Sequence, residues 1–217
     1  MRAKFDEQLH MLNQEMMHMG SMIEDKIQKA IEALIGQNSA LAKEIMEADN
    51  EVDREQKKIE NICFNLLMQQ PVARDLRVIS AAMKMVTDME RIGDHAADIS
   101  EMTVMMASEP YAVDLSDIKK MASETVLMLI QSIEAYVEKD MLKAQSVIDH
   151  DDIVDELFEE VKTTLIDFIA ENKGAQGVEA IDLIMVAKYL ERIADHATNI
   201  AEWVEFSITG IHKESKV

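Results

Sequence analysis

The sequence predicts an all-α fold of six helices, arranged as two similar three-helix bundles related by internal duplication. Three observations carry this reading. Apolar residues recur at steps of three and four along most of the chain, and β-branched alternation bounded by turns is missing. An acidic motif also occurs twice, as ERIGDHAADIS at 90–100 and as ERIADHATNIA at 191–201. Only 6 Gly and 2 Pro interrupt the 217 residues, so each break between helices stands out.

In the first segment Phe5, Leu9, Leu12, Met16, Met19, Ile23, Ile27 and Leu34 form one stripe, which ends near GQNSA. A second stripe uses Leu41, Ile45, Val52, Ile59, Ile62 and Leu66. It stops at QQPVARD, where Pro71 lacks an amide donor and disfavours helical geometry at Gln70. The third runs from about Asp75 to Ala107 through Ile79, Ala82, Val86, Met89, Ile92, Ala96 and Ile99. SEPYAVDLSD is the widest break and lies near the middle, so the halves are placed at 1–108 and 114–217. Three further helices are expected at 115–138, 140–172 and 177–209, divided by a short turn near Lys139 and by ENKGAQG.

The duplication extends beyond the opening motif. ADNEVD, ending at Asp53, reappears as HDDIVD, ending at Asp155, and one residue lost in a loop brings both repeats into register. Two three-helix units around a pseudo-twofold axis are therefore expected.

Charge narrows the classes of partner. With 42 acidic against 22 basic residues the net charge is −20, which repels phosphate backbones and anionic lipids, so nucleic acid is not an expected partner. The start MRAKFDEQLH lacks the apolar core of a signal peptide and no run is long enough to span a bilayer, so a soluble cytoplasmic protein is expected. The single cysteine, Cys63, falls in the apolar run IENICFNLL, where a buried thiol is the usual outcome. Most of the 18 methionines are assigned to core filling, with Met11 and Met22 as the exposed exceptions.

Residues four apart on a helix lie about 40° apart around its axis, so Glu90 and Asp94 project as neighbours, with Asp98 one turn on. Glu191, Asp195 and Asn199 repeat the arrangement, and the preceding helix of each half adds Asp49 with Asp53, or Asp151 with Asp155. If those helices lie side by side, each half gathers four carboxylates on the surface. Stacked like charges call for a compensating cation, and oxygen donors suit magnesium, calcium, manganese or iron better than a closed zinc site. The competing reading is a solvated acidic face with Arg91 and Arg192 as local partners. His95 and His196 follow the acids directly and point about 100° away from them, which favours packing or hydrogen bonding over ligation. Glu7 with His10 and Glu15 with His18 have di-iron spacing, but both pairs sit on one helix where that architecture needs two. No activated nucleophile, glycine-rich phosphate loop or cysteine–histidine zinc site is present.

Through QPVARDLR at 70–77, both acidic motifs and the segments ADNEVD and HDDIVD, the chain resembles the PhoU family over nearly its full length. The resemblance implies two three-helix bundles forming a non-catalytic, cytoplasmic accessory of a phosphate ABC transporter. It further implies contacts with that transporter's ATPase subunit and with a membrane sensor histidine kinase, restraining uptake and the starvation response when phosphate is plentiful. Some members of that family bind divalent, iron or zinc ions through the acid motif, which falls here on Glu90, Asp94 and Asp98 and on Glu191, Asp195 and Asn199. Asn199 replaces the acid found as Asp98, so the second site carries less negative charge. QPVARDLR has no second copy, and its Arg74 and Arg77, three residues apart, are expected to project together toward a partner carboxylate or to pair with neighbouring acids. A homodimer stays open. The alternative functions are a carboxylate-bridged metalloenzyme and a metal-free structural bundle.

Overall fold

The computed structural model describes residues 2–48, 50–107 and 110–211. The helices are α1 (Arg2–Ile35), α2 (Ser39–Glu47), α3 (Asn50–Leu67), α4 (Ala73–Met106), α5 (Ser116–Glu138), α6 (Met141–Glu171) and α7 (Gly177–Thr209). The described residues contain no strand. These segments make six rods, because α2 and α3 share the neighbours α1 and α4 and together take the place of the second predicted helix. Apolar spacing continues across the interruption and so did not reveal it. Ala48 closes α2 with its N–H on the Glu44 carbonyl, and α3 starts at Asn50 with Glu51 and Asp53 in its first turn, where the helix dipole favours acids.

The other boundaries follow from local chemistry. Gln70, ahead of Pro71, has φ of 53°, off the right-handed helical region, and α4 begins three residues later. Lys139 adopts the left-handed conformation and ends α5, its N–H turned back to the Ala135 and Tyr136 carbonyls. Asp140 then caps α6, its carboxylate accepting from the N–H of Leu142 at 2.9 Å and of Lys143 at 3.1 Å.

The predicted stripes are the core. Met16, Met19, Ile23 and Ile27 on α1 and Ile79, Met89, Ile92 and Ile99 on α4 are fully buried. Met11 is exposed as expected, whereas Met22 is half-buried beside a 340 Å³ cavity. Cys63 is buried and burial pushes its thiol up to about 12, so it stays protonated and unreactive. Among the described residues no helix is long and apolar enough to cross a membrane.

In the first half α1, α2 and α3 pack with α4, and in the second α5 and α6 pack with α7. The halves meet through α4 on α7 and α1 on α5, so each of these helices faces its own counterpart, as a pseudo-twofold axis requires. Where α1 meets α5, Ile133 packs directly over Gly20, so that an added Cβ would stand 2.5 Å from Ile133 Cδ1. Gly93 does the same within the first half. A Cβ there would meet Val52 Cγ1 at 3.2 Å, so α3 and α4 touch beside the first acidic motif. The corresponding Val154 and Ala194 of the second half are fully buried.

Candidate functional site

The second half brings its predicted acids together. Asp151 and Asp155 on α6 and Glu191 and Asp195 on α7 are close enough for their charges to act on one another. Burial first, then the charges of Asp195 and Asp155, push Asp151 up to about 6. Partial burial and the Glu191 charge raise Asp155 and Asp195 as well, although both are exposed at the rim. The expected surface site is thus a groove between two helices, with Asp151 and Glu191 half-buried in it.

This crowding has a pH signature. Asp151 binds its proton more tightly folded than unfolded, where a carboxyl titrates near 4, so its contribution to stability falls as pH rises from about 4 to about 6. Asp151→Asn removes the penalty. In metal-free buffer the variant is expected to exceed the parent by roughly 1–2 kcal/mol at neutral pH and to match it near pH 4, as read by urea unfolding.

In the first half Asp49 lies outside the described residues. Asp53 is half-buried on α3, one residue after Val52, the residue packed on Gly93 of α4. Arg91 holds that row from its own helix, with Nε 3.5 Å from Glu90 and Nη1 2.9 Å from Asp94. As the side chains stand, no group of three or more His, Cys, Asp or Glu among the described residues is set closely enough to hold a metal ion. The donor chemistry of the second-half set still fits a hard cation, since it offers only carboxylate oxygens whose mutual repulsion a cation would relieve.

The third position of each motif is engaged elsewhere. Asp98 shares a hydrogen bond with His95 Nδ1 at 3.1 Å, and Asn199 Nδ2 donates to Asp88 across the seam between halves at 3.4 Å. His196 Nδ1 also meets Asp88, at 2.8 Å, and the His95 and His196 rings lie 5.7 Å apart. Both histidines therefore pack and hydrogen bond, as their angular offset from the acids predicts. Asp88 and Tyr189, which face this seam from α4 and α7, each stand two residues before the glutamate of their motif. Sequence did not single them out, because their roles exist only once the halves dock.

Arg74 and Arg77 separate in role. Arg74 is exposed, while Arg77 lies over Gly210 at the C-terminus of α7, so close that a Cβ there would stand 2.9 Å from Nη1. A guanidinium at a helix C-terminus is favoured by the dipole. Around Arg74 the α3–α4 turn exposes Phe64, Met68, Val72 and Leu76, with Met68 at 73% and Val72 at 61% of full exposure. On α1, Glu15 pairs with Lys58 of α3, and His10 and His18 are exposed.

Comparison with known proteins places these features in context. The PhoU domain matches residues 16–103 and again 118–204. A phosphate-specific transport system accessory protein PhoU homolog of Clostridium acetobutylicum is 38% identical over 211 residues, covering 96% of each chain. Its counterpart in Synechocystis is 36% identical over 96% of this chain and 93% of its own. Among solved structures, PhoU from Pseudomonas aeruginosa superposes with a TM-score of 0.87 at 28% identity, covering 95% of this chain and 100% of that one. The phosphate transport system regulatory protein PhoU from Streptococcus pneumoniae gives 0.89 at 26% identity, covering 97% and 99%.

Proposed function

Because the chain belongs to the PhoU family in both halves, we propose that it is a non-catalytic regulator of phosphate uptake and phosphate-starvation signalling. It docks on the ATPase subunit of a phosphate ABC transporter and couples the state of that transporter to a sensor histidine kinase at the inner face of the membrane. The observation that carries docking is the exposed apolar turn of Phe64, Met68, Val72 and Leu76 with Arg74 beside it. Four large apolar side chains left in water at one turn suit a protein contact, and an exposed arginine supplies directional pairing to a carboxylate. Arg77 acts through the fold, by holding the end of α7.

The carboxylates serve this role as cation sites: Asp49, Asp53, Glu90 and Asp94 in the first half, and Asp151, Asp155, Glu191 and Asp195 in the second. A bound divalent ion would neutralise the rows and fix the second rod of each half against the third. Glu90→Ala with Asp94→Ala is expected to abolish most manganese(II) uptake by the first half, read by calorimetric titration. The helical circular dichroism should persist, since alanine favours helix and both side chains lie at the edge of the core. Unchanged uptake in that variant counts against the assignment. The docking role is tested by capturing the transporter ATPase with this chain.

A further inference from the structure

The duplication sets a second exposed apolar turn in the other half. The turn between α6 and α7 is the counterpart of the α3–α4 turn, and Ile166 stands where Phe64 stands in the first half. Ile166 is exposed, and α7 then opens with Val178 at 76% and Ile181 at 55% of full exposure, followed one turn on by the exposed Met185. Val178, Ile181 and Met185 are spaced i, i+3 and i+7, so they form one apolar row along α7 that is left in water.

The surface is fixed in advance. A Cβ at Gly177 would meet Ile169 of α6 at 3.9 Å, which seats the start of α7 on the end of α6. Between the two helices the chain bonds to itself, with the Gly174 N–H on the Ile169 carbonyl at 2.9 Å and the Lys173 N–H on the Ala170 carbonyl at 3.2 Å. A preformed surface loses little conformational freedom on contact.

Charge separates the two turns. From Phe64 to Lys84 the chain carries Arg74, Arg77 and Lys84 against Asp75, which is buried. From Ile166 to Met185 it carries Asp167, Glu171, Glu179 and Asp182 against Lys173 alone. Asp167 and Glu171 are exposed, Asp182 is half-buried, and Glu179 accepts from the Ala112 N–H at 2.9 Å. Lys162 and Lys188, on the same two helices, are already paired with Glu159 and Glu191. An anionic lipid surface is repelled here. What fits is a helix whose apolar side chains meet the row at helical spacing and whose flanking lysines or arginines meet the acids.

We propose that the α6–α7 turn is a second docking surface, and that it takes an amphipathic helix of a partner protein with basic residues flanking its apolar face. The duplicated turns have diverged in charge and so select different partners. The inference rests on reading exposed apolar turns as docking surfaces, and capture of the ATPase through the α3–α4 turn tests that reading on its own.

Two synthetic amphipathic helices with the same leucine face, one flanked by arginine and the other by glutamate, are titrated against the full chain and read by fluorescence anisotropy. The parent is expected to bind the arginine helix, more weakly as salt rises, and Val178→Ser with Ile181→Ser to weaken that binding by about tenfold. Asp167→Lys with Glu171→Lys should weaken it comparably through charge alone, and both side chains are exposed, so the fold is kept. Met68→Asp with Val72→Asp should leave it unchanged. Loss in that first-half variant instead would place the helix on the α3–α4 turn and overturn the proposal while leaving the docking reading intact. Equal binding of both helices, or no binding of the arginine helix by the parent, would overturn it as well. Self-association of the parent in sedimentation that Val178→Ser with Ile181→Ser abolishes would make a second copy the occupant and overturn the assignment of the partner.

Discussion

Met68→Asp combined with Val72→Asp is expected to weaken capture of the phosphate transporter's ATPase by about a hundredfold, corresponding to about 3 kcal/mol. Both side chains are more than half exposed, so they hold little of the core together, and an aspartate at either place faces water in the free protein. On the proposed docking surface the same positions would lie in the apolar centre of the contact, where burying an unpaired carboxylate costs several kcal/mol. Thermal stability should therefore change by less than about 0.5 kcal/mol. Binding is read by surface capture against the purified ATPase and stability by thermal melting on the same samples. Full binding by the variant would move the docking surface away from the α3–α4 turn.

Gly20→Leu is the substitution expected to cost the most stability. One carbon at Gly20 would stand 2.5 Å from Ile133 Cδ1, the tip of a side chain that can turn aside, but Gly20 and Ile133 are both buried, so the remaining three carbons of a leucine overfill the contact between α1 and α5. Overpacking of this kind costs about 3 kcal/mol, seen as a lower urea midpoint. Pairing it with Ile133→Ala makes room on the facing helix, and the double variant should recover a large part of the loss. Additive losses in the double variant would mean that the two residues do not meet as described.

The rods were legible because helical periodicity is local. Stripes such as Met16, Met19, Ile23 and Ile27 need only their own helix to be recognised, and the positions so chosen are buried. The interruption between α2 and α3 was hidden because Ile45 and Val52 remain on a continuing apolar pattern on either side of it. The second-half cluster was legible for a different reason. A repeat that places acids on two helices of each half implies that those helices are neighbours, and α6 and α7 do pack together.

Contacts between distant elements were not legible. Arg77 reaches Gly210 and His196 reaches Asp88 only because α4 docks against the end and the middle of α7. Duplication shows which residues are shared between the halves, and docking determines what the differing ones do.

The most direct test of the central claim, that this chain is a regulator docked on a phosphate transporter, is capture from phosphate-replete cells with the full chain as bait. The ATPase subunit of a phosphate ABC transporter is expected in the bound fraction. Its recovery is expected to fall as salt rises, as it would if a chain of net charge −20 docked on a complementary basic surface. A folded bait that recovers no such ATPase at low salt would contradict the account.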